Sequence, residues 1–133
     1  MWFRVNPQSS VPIYQQVIQG IRQGVAQGVV QAGDRLPSVR DLAVEMTLNP
    51  NTIAKAYREL ERQRVITVIQ GRGTYIADLE SVPDRAQRIG LMVEAIQQLL
   101  VEAHHMQMTV DELLELFHRV VSEWERAKGR NDQ

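Results

Sequence analysis

Hydrophobic positions along this chain follow two rhythms, one helical and one strand-like, and their order lays out the elements. Ile13, Val17, Ile21 and Val25 recur every four residues with Tyr14 and Ile18 beside them, the apolar stripe of a helix over about 12–27. Pro12 stands where a first helical turn tolerates it, and Gly28 and Gly33 bracket the other end, with Gly33-Asp34 reading as a turn. Upstream, Phe3-Arg4-Val5 is expected to form a short leading strand.

Leu36-Pro37 closes that turn, and Ser38-Val39-Arg40-Asp41 has the form of a capping box. Val39, Leu42, Ala43 and Met46 then predict a second, short helix over about 38–46. Thr47-Leu48 connects it to a third helix, for which Asn49 is the N-cap and Pro50 the first residue. Ile53, Ala56, Tyr57 and Leu60 line one face of that helix, while Asn51, Thr52, Lys55, Arg58, Glu59 and Arg62 lie away from it. The run Val65-Ile66-Thr67-Val68-Ile69 switches to β-prone residues. Gly71-Arg72-Gly73 and then Thr74-Tyr75-Ile76-Ala77 follow, which predicts a hairpin with a glycine-flanked tip.

Beyond residue 78 the pattern changes. Asp78 to Asp84 reads as a linker into a helix start. Ala86, Ile89, Val93, Ile96, Leu100 and Ala103 then alternate three and four apart, a heptad-like seam that breaks at about His104–Met108. Thr109-Val110-Asp111-Glu112 is a second capping box. After it, Val110, Leu113, Leu114, Phe117, Val120, Val121 and Trp124 form a broad stripe on a last helix, and the polar tail from Lys128 is expected to fray. The fold expected is mainly α with a small β-hairpin wing: a winged helix-turn-helix over 1–78 and a two-helix dimerisation or effector tail over 79–133.

Composition narrows the class. The 133 residues are 44% hydrophobic and 23% charged, as in a soluble globular protein, and contain no cysteine, so no disulfide, thiol nucleophile or cysteine-built metal site enters. The amino terminus lacks the pattern of a signal peptide, and no run approaches the roughly 18–20 apolar residues of a membrane span, so a cytoplasmic location without membrane partners is expected. The net charge of −1 hides an asymmetry: residues 1–78 carry nine Lys/Arg against six Asp/Glu, residues 79–133 six against ten. Only the first part is electrostatically suited to phosphate.

The order helix, short helix, tight turn, helix, hairpin presents a recognition element to DNA. The second helix braces the third, whose first turns can enter a major groove. Asn51, Thr52 and Lys55 are candidate base contacts: Asn bonds adenine in two places, Lys donates to guanine, and the Thr methyl meets that of thymine. Ser38 and the helix starts offer N–H groups to phosphate, Arg35 and Arg40 flank the short helix as phosphate clamps, and Arg58 continues the exposed face. Arg72, beside Gly73 and Thr74, stands at a wing tip able to enter the minor groove.

Several motifs on these residues resemble those of a known family. Residues 33–43 (Gly-Asp-Arg-Leu-Pro-Ser-Val-Arg-Asp-Leu-Ala), 49–53 (Asn-Pro-Asn-Thr-Ile), 57–60 (Tyr-Arg-Glu-Leu) and 71–76 (Gly-Arg-Gly-Thr-Tyr-Ile) are similar to the DNA-binding domain of GntR-family bacterial regulators. The resemblance covers about residues 10–77. It implies a dimeric repressor on a near-palindromic operator, with phosphate contacts from the positions of Arg35, Arg40 and Tyr57. It also implies contacts from Asn51 and Thr52, and minor-groove contact near Arg72. The short tail departs from most of that family and resembles the YtrA-like subfamily, which implies dimerisation by the tail and control of a transporter operon. The stripes support dimerisation independently, since two helices with broad apolar faces cannot cover both faces alone; Ile89, Val93, Ile96, Leu100, Leu113, Leu114, Phe117, Val120, Val121 and Trp124 are the expected seam.

The competing readings are weaker. A winged helix serving as a protein-docking module would carry an exposed aromatic or aliphatic anchor, which the Asn51/Thr52/Lys55/Arg58/Arg62 face lacks. No acidic ligand cluster recurs at ligand spacing with His104, His105 and His118, and adjacent histidines on a helix point apart, so no metal and no cofactor is expected. The serines have no His/Asp arrangement to activate them, so no enzyme is expected. A small-molecule effector is compatible with the reading, but no residue marks its site.

Overall fold

The computed structural model describes residues 1–78 and 84–131. The element order is α1 (Ile13–Ala26), β1 (Arg35–Leu36), α2 (Val39–Met46), α3 (Pro50–Arg62), β2 (Ile66–Ile69), β3 (Gly73–Ile76), α4 (Arg85–His105) and α5 (Val110–Asn131). These fall into two compact units, one within residues 1–78 and one within 84–129.

In the first unit α1 and α2 both pack on α3, and α3 also meets β2. The shared core holds Val17, Ile21, Leu42, Ile53, Leu60 and Ile66, all fully buried, so the apolar stripes converge as their spacing requires. Each such side chain contributes about 1.5–3 kcal/mol relative to exposure. The antiparallel sheet is ordered β1-β3-β2. Ile66 pairs with Ile76 and Ile69 with Gly73 across the hairpin, and Arg35 pairs with Tyr75 and Leu36 with Thr74 on its other side. The strand β1 is absent from the sequence reading, where Leu36 only closes a turn. Two residues carry no periodicity, and β1 exists because β3 offers it a free edge.

Phe3-Arg4-Val5 is not a strand. The amino-terminal arm instead fills notches in α1. A Cβ on Gly20 would lie 2.4 Å from the Phe3 ring and one on Gly24 2.4 Å from the Trp2 indole, whose Nε1 donates to the Gly20 carbonyl at 2.9 Å. The Met1 amino group pairs with Glu45 of α2.

Four helices end alike. Val29 N–H donates to Gly24, Leu48 to Ala43, Val65 to Leu60 and Met108 to Ala103, each bond closing over a residue of positive φ. This is the Schellman pattern. Glycine fills the left-handed position only after α1, at Gly28; Thr47, Arg64 and Gln107 fill the others.

In the second unit Thr109 and Glu112 exchange the reciprocal bonds of a capping box: Glu112 N–H donates to Thr109 Oγ1 at 3.1 Å, and Thr109 N–H to Glu112 Oε1 at 3.2 Å. Helix α5 stays helical through Asn131, past Lys128 where fraying was expected. Among the described residues of this unit only Ala103 is a buried hydrophobic. Of the expected linker, residues 79–83 lie outside the described residues.

Candidate nucleic-acid interface

The interface is built from the starts of α2 and α3 and from the wing. Ser38 caps α2, its Oγ accepting from Asp41 N–H at 3.1 Å. The box is half-made, because Asp41 shows no return bond; its side chain is one methylene shorter than the Glu that completes such a box. Asn49 caps α3 with Oδ1 accepting from Asn51 N–H at 2.8 Å, and Pro50 occupies the first turn. Both caps fix where the helices begin, and so where Arg40, Asn51 and Thr52 stand. Arg40 and Asn51 are exposed and Thr52 is half-buried.

The wing brings Arg35, Arg72, Gly73 and Thr74 together. Gly73 has φ +130°, and a Cβ there would lie 3.1 Å from Nε of Arg35 and 3.2 Å from its Nη2. The missing side chain is what lets the Arg35 guanidinium lie along the wing. Arg72 is exposed beside Gly71, and the Tyr75 hydroxyl donates to its carbonyl at 3.2 Å, stiffening the tip.

Tyr57 is placed differently from the other candidate contacts. Its residue is 4% exposed, and its hydroxyl donates to the Pro37 carbonyl at 2.8 Å. Burial, reinforced by the Glu45 charge, pushes the phenol above its ordinary pKa, so it stays protonated and its single hydrogen is spent inside the fold. Its role in this geometry is to hold α3 against the turn that opens α2.

Charge on this surface is unbalanced. Glu59 accepts from Arg62 and Gln63, which hold its carboxyl down to about 2, and so it neutralises Arg62. Arg35, Arg40, Lys55, Arg58 and Arg72 have no ion-pair partner among the described residues. Tyr14 of α1, which the sequence reading placed only beside the helix stripe, lies under Lys55, with Nζ 3.8 Å from the ring centroid. Its signal in the sequence was an aromatic on the first turn of a helix that packs on α3. His104 and His105 meet edge to face with centroids 5.5 Å apart. The described residues hold no group of three metal-ligating side chains and no helix long and apolar enough to cross a membrane.

A short brace, a left-handed turn, a second helix with its polar start exposed and an arginine-tipped wing define a winged helix-turn-helix, a DNA-reading module of transcription regulators. Comparison with known proteins agrees. Residues 13–76 match the family described as bacterial regulatory proteins, gntR family. The HTH-type transcriptional repressor YtrA of Bacillus subtilis is 36% identical over 97% of this chain and 98% of its own length. A solved transcriptional antiterminator from Listeria monocytogenes superposes with a TM-score of 0.84 at 31% identity, covering 93% of this chain and 92% of the other. The DNA-binding domain of AraR, solved in complex with operator ORX1, superposes with a TM-score of 0.50 at 28% identity, covering 56% of this chain and 93% of that domain. The chain belongs to the gntR family of bacterial regulatory proteins, among the YtrA-like members, a family of DNA-binding transcription regulators and not of enzymes.

Proposed function

We propose that this chain is a homodimeric, sequence-specific repressor that binds a near-palindromic operator through its first unit and pairs through its second. The observation that carries the first half is the set of unpaired cations around the start of α3 and the wing. Arg35, Arg40 and Arg58 grip phosphates with Ser38 and the α2 start, Asn51 and Thr52 read base edges, and Arg72, with Gly73 and Thr74 shaping the wing, enters the minor groove. Tyr57 contributes from inside by fixing α2 against α3. The repressor reading is supported by the near-full-length similarity to YtrA, whose subfamily extends the reading to a transporter operon, and operator binding by the AraR complex.

The second half is supported by the second unit's surface. Ile89, Val93, Ile96 and Leu100 on α4, and Leu114, Phe117, Val120, Val121 and Trp124 on α5, are each 38–55% exposed within one chain, and Leu113 is half-buried. Covering the exposed half of each such side chain is worth about 1 kcal/mol, and the sum over the stripe favours a second copy over water.

The test uses double-stranded DNA selected from a random pool. Asn51→Ala is expected to relax the sequence preference, costing about 1–3 kcal/mol at the cognate site. Arg40→Ala is expected to weaken all sequences alike and to lower the salt slope by about one. Unchanged binding in both, with folding intact, contradicts the interface.

A further inference from the structure

Lys55 does not project freely from α3. Its ammonium sits 3.8 Å from the centroid of the Tyr14 ring on α1. That ring is itself placed: Tyr14 packs against the core while its hydroxyl accepts from Gln15 Nε2 at 3.3 Å. The position of the Lys55 charge is therefore set by α1 as well as by the helix that carries it. Both residues line an open groove of about 820 Å³ between α1 and α3. Glu59 and Arg62 in that groove neutralise one another, so its free positive charge rests on Lys55 and Arg58.

A lysine that reads a base edge must extend into the major groove along the recognition helix. Lys55 is instead held over a ring of the neighbouring helix, in a groove whose free charge is positive. A compact ammonium also suits phosphate as a point charge. We infer that Lys55 is a phosphate anchor positioned by Tyr14, which leaves base reading on α3 to Asn51 and Thr52. The inference rests on the DNA-binding reading above and revises the guanine contact expected of Lys55 from the sequence.

The probe is DNA carrying the site that the wild-type chain selects from a random pool. It is titrated from about 50 to 200 mM salt with the full chain and with Lys55→Ala, Tyr14→Phe and Tyr14→Leu, and the selection is repeated with each variant. Lys55→Ala is expected to select an unchanged motif with a salt slope lower by about one. Wild-type affinity then falls about 3.5-fold more than the variant's over that salt range. Tyr14→Phe keeps the ring and the wild-type slope; Tyr14→Leu keeps the bulk without the π face and shifts toward Lys55→Ala. Lys55 is exposed, so its variant reads out even if a Tyr14 variant folds poorly. A motif relaxed at one base pair with the slope unchanged makes Lys55 a base reader and overturns the inference. Wild-type slope and affinity in a folded Tyr14→Leu chain overturn the positioning role. A wild-type chain that selects no DNA overturns the underlying DNA-binding reading as well.

Discussion

The Tyr57 hydroxyl donates to the backbone carbonyl of Pro37 at 2.8 Å, tying the middle of α3 to the turn that opens α2. Through this bond the recognition helix and the phosphate-gripping start of its brace are held as one piece. Tyr57→Phe leaves a part-buried carbonyl without its donor and is expected to cost about 1–3 kcal/mol in urea unfolding. A loss below about 0.3 kcal/mol would show the bond to be incidental.

The same residue gives a pH signature. Burial, then the Glu45 charge, raises the folded phenol's pKa above its ordinary value. The folded state thus keeps a proton that the unfolded chain releases at about pH 10. This contribution is fully present below pH 10 and is lost as pH rises above it, by up to about 1.4 kcal/mol per pH unit. Melting temperature followed from pH 8 to 11 should fall more steeply for wild type than for Tyr57→Phe; parallel curves would contradict the burial argument.

Gly24→Ala is expected to expel Trp2. Its new Cβ would lie 2.4 Å from the indole Nε1, closer than real contacts allow. Alanine gains about 1 kcal/mol over glycine in a helix, while forcing a packed ring costs about 1–3 kcal/mol, so a net loss of about 1 kcal/mol follows. In a Trp124→Phe background, which leaves Trp2 as the sole tryptophan, the emission should shift to the red. An unshifted spectrum would mean the arm does not seat in the notch.

Thr47→Gly is expected to stabilise the chain. Thr47 holds φ 55° between α2 and α3, where a β-branched residue is strained by about 1–2 kcal/mol. Glycine relieves that strain but loses more chain entropy, leaving a gain of about 0.5–1 kcal/mol in denaturant unfolding. A loss of stability would show that the threonine side chain is needed there.

Leu114→Glu combined with Phe117→Glu places charge in the middle of the α5 stripe, where both native residues are more than half exposed in one chain. Sedimentation equilibrium should give a dimer for wild type and a monomer for the double variant. A wild-type monomer at micromolar concentration would remove the pairing half of the proposal.

The helices and the hairpin were legible because each has a residue pattern of its own, and three helix starts carry a side-chain cap, at Ser38, Asn49 and Thr109, with Pro12 opening α1. Features made by tertiary contact were not. Strand β1 is too short to alternate, and the arm's Trp2 and Phe3 answer to Gly20 and Gly24, whose spacing reads as ordinary helix. The turns after α2, α3 and α4 carry no glycine at the left-handed position, so they sent no turn signal. The candidate interface was legible in residue type but not in direction. Tyr57 lies on the apolar face that its spacing assigns, but its hydrogen bond to Pro37, like the lean of Lys55 on Tyr14, runs between elements and does not follow from spacing along one helix.

Selection of bound fragments from randomised double-stranded DNA at near-physiological salt decides whether the chain reads sequence as a dimer. Enrichment of one two-fold symmetric motif with half-sites about one helical turn apart is expected, with relaxation within each half-site in Asn51→Ala. Weak, salt-sensitive binding with no enriched motif would rule out a sequence-specific dimeric reader.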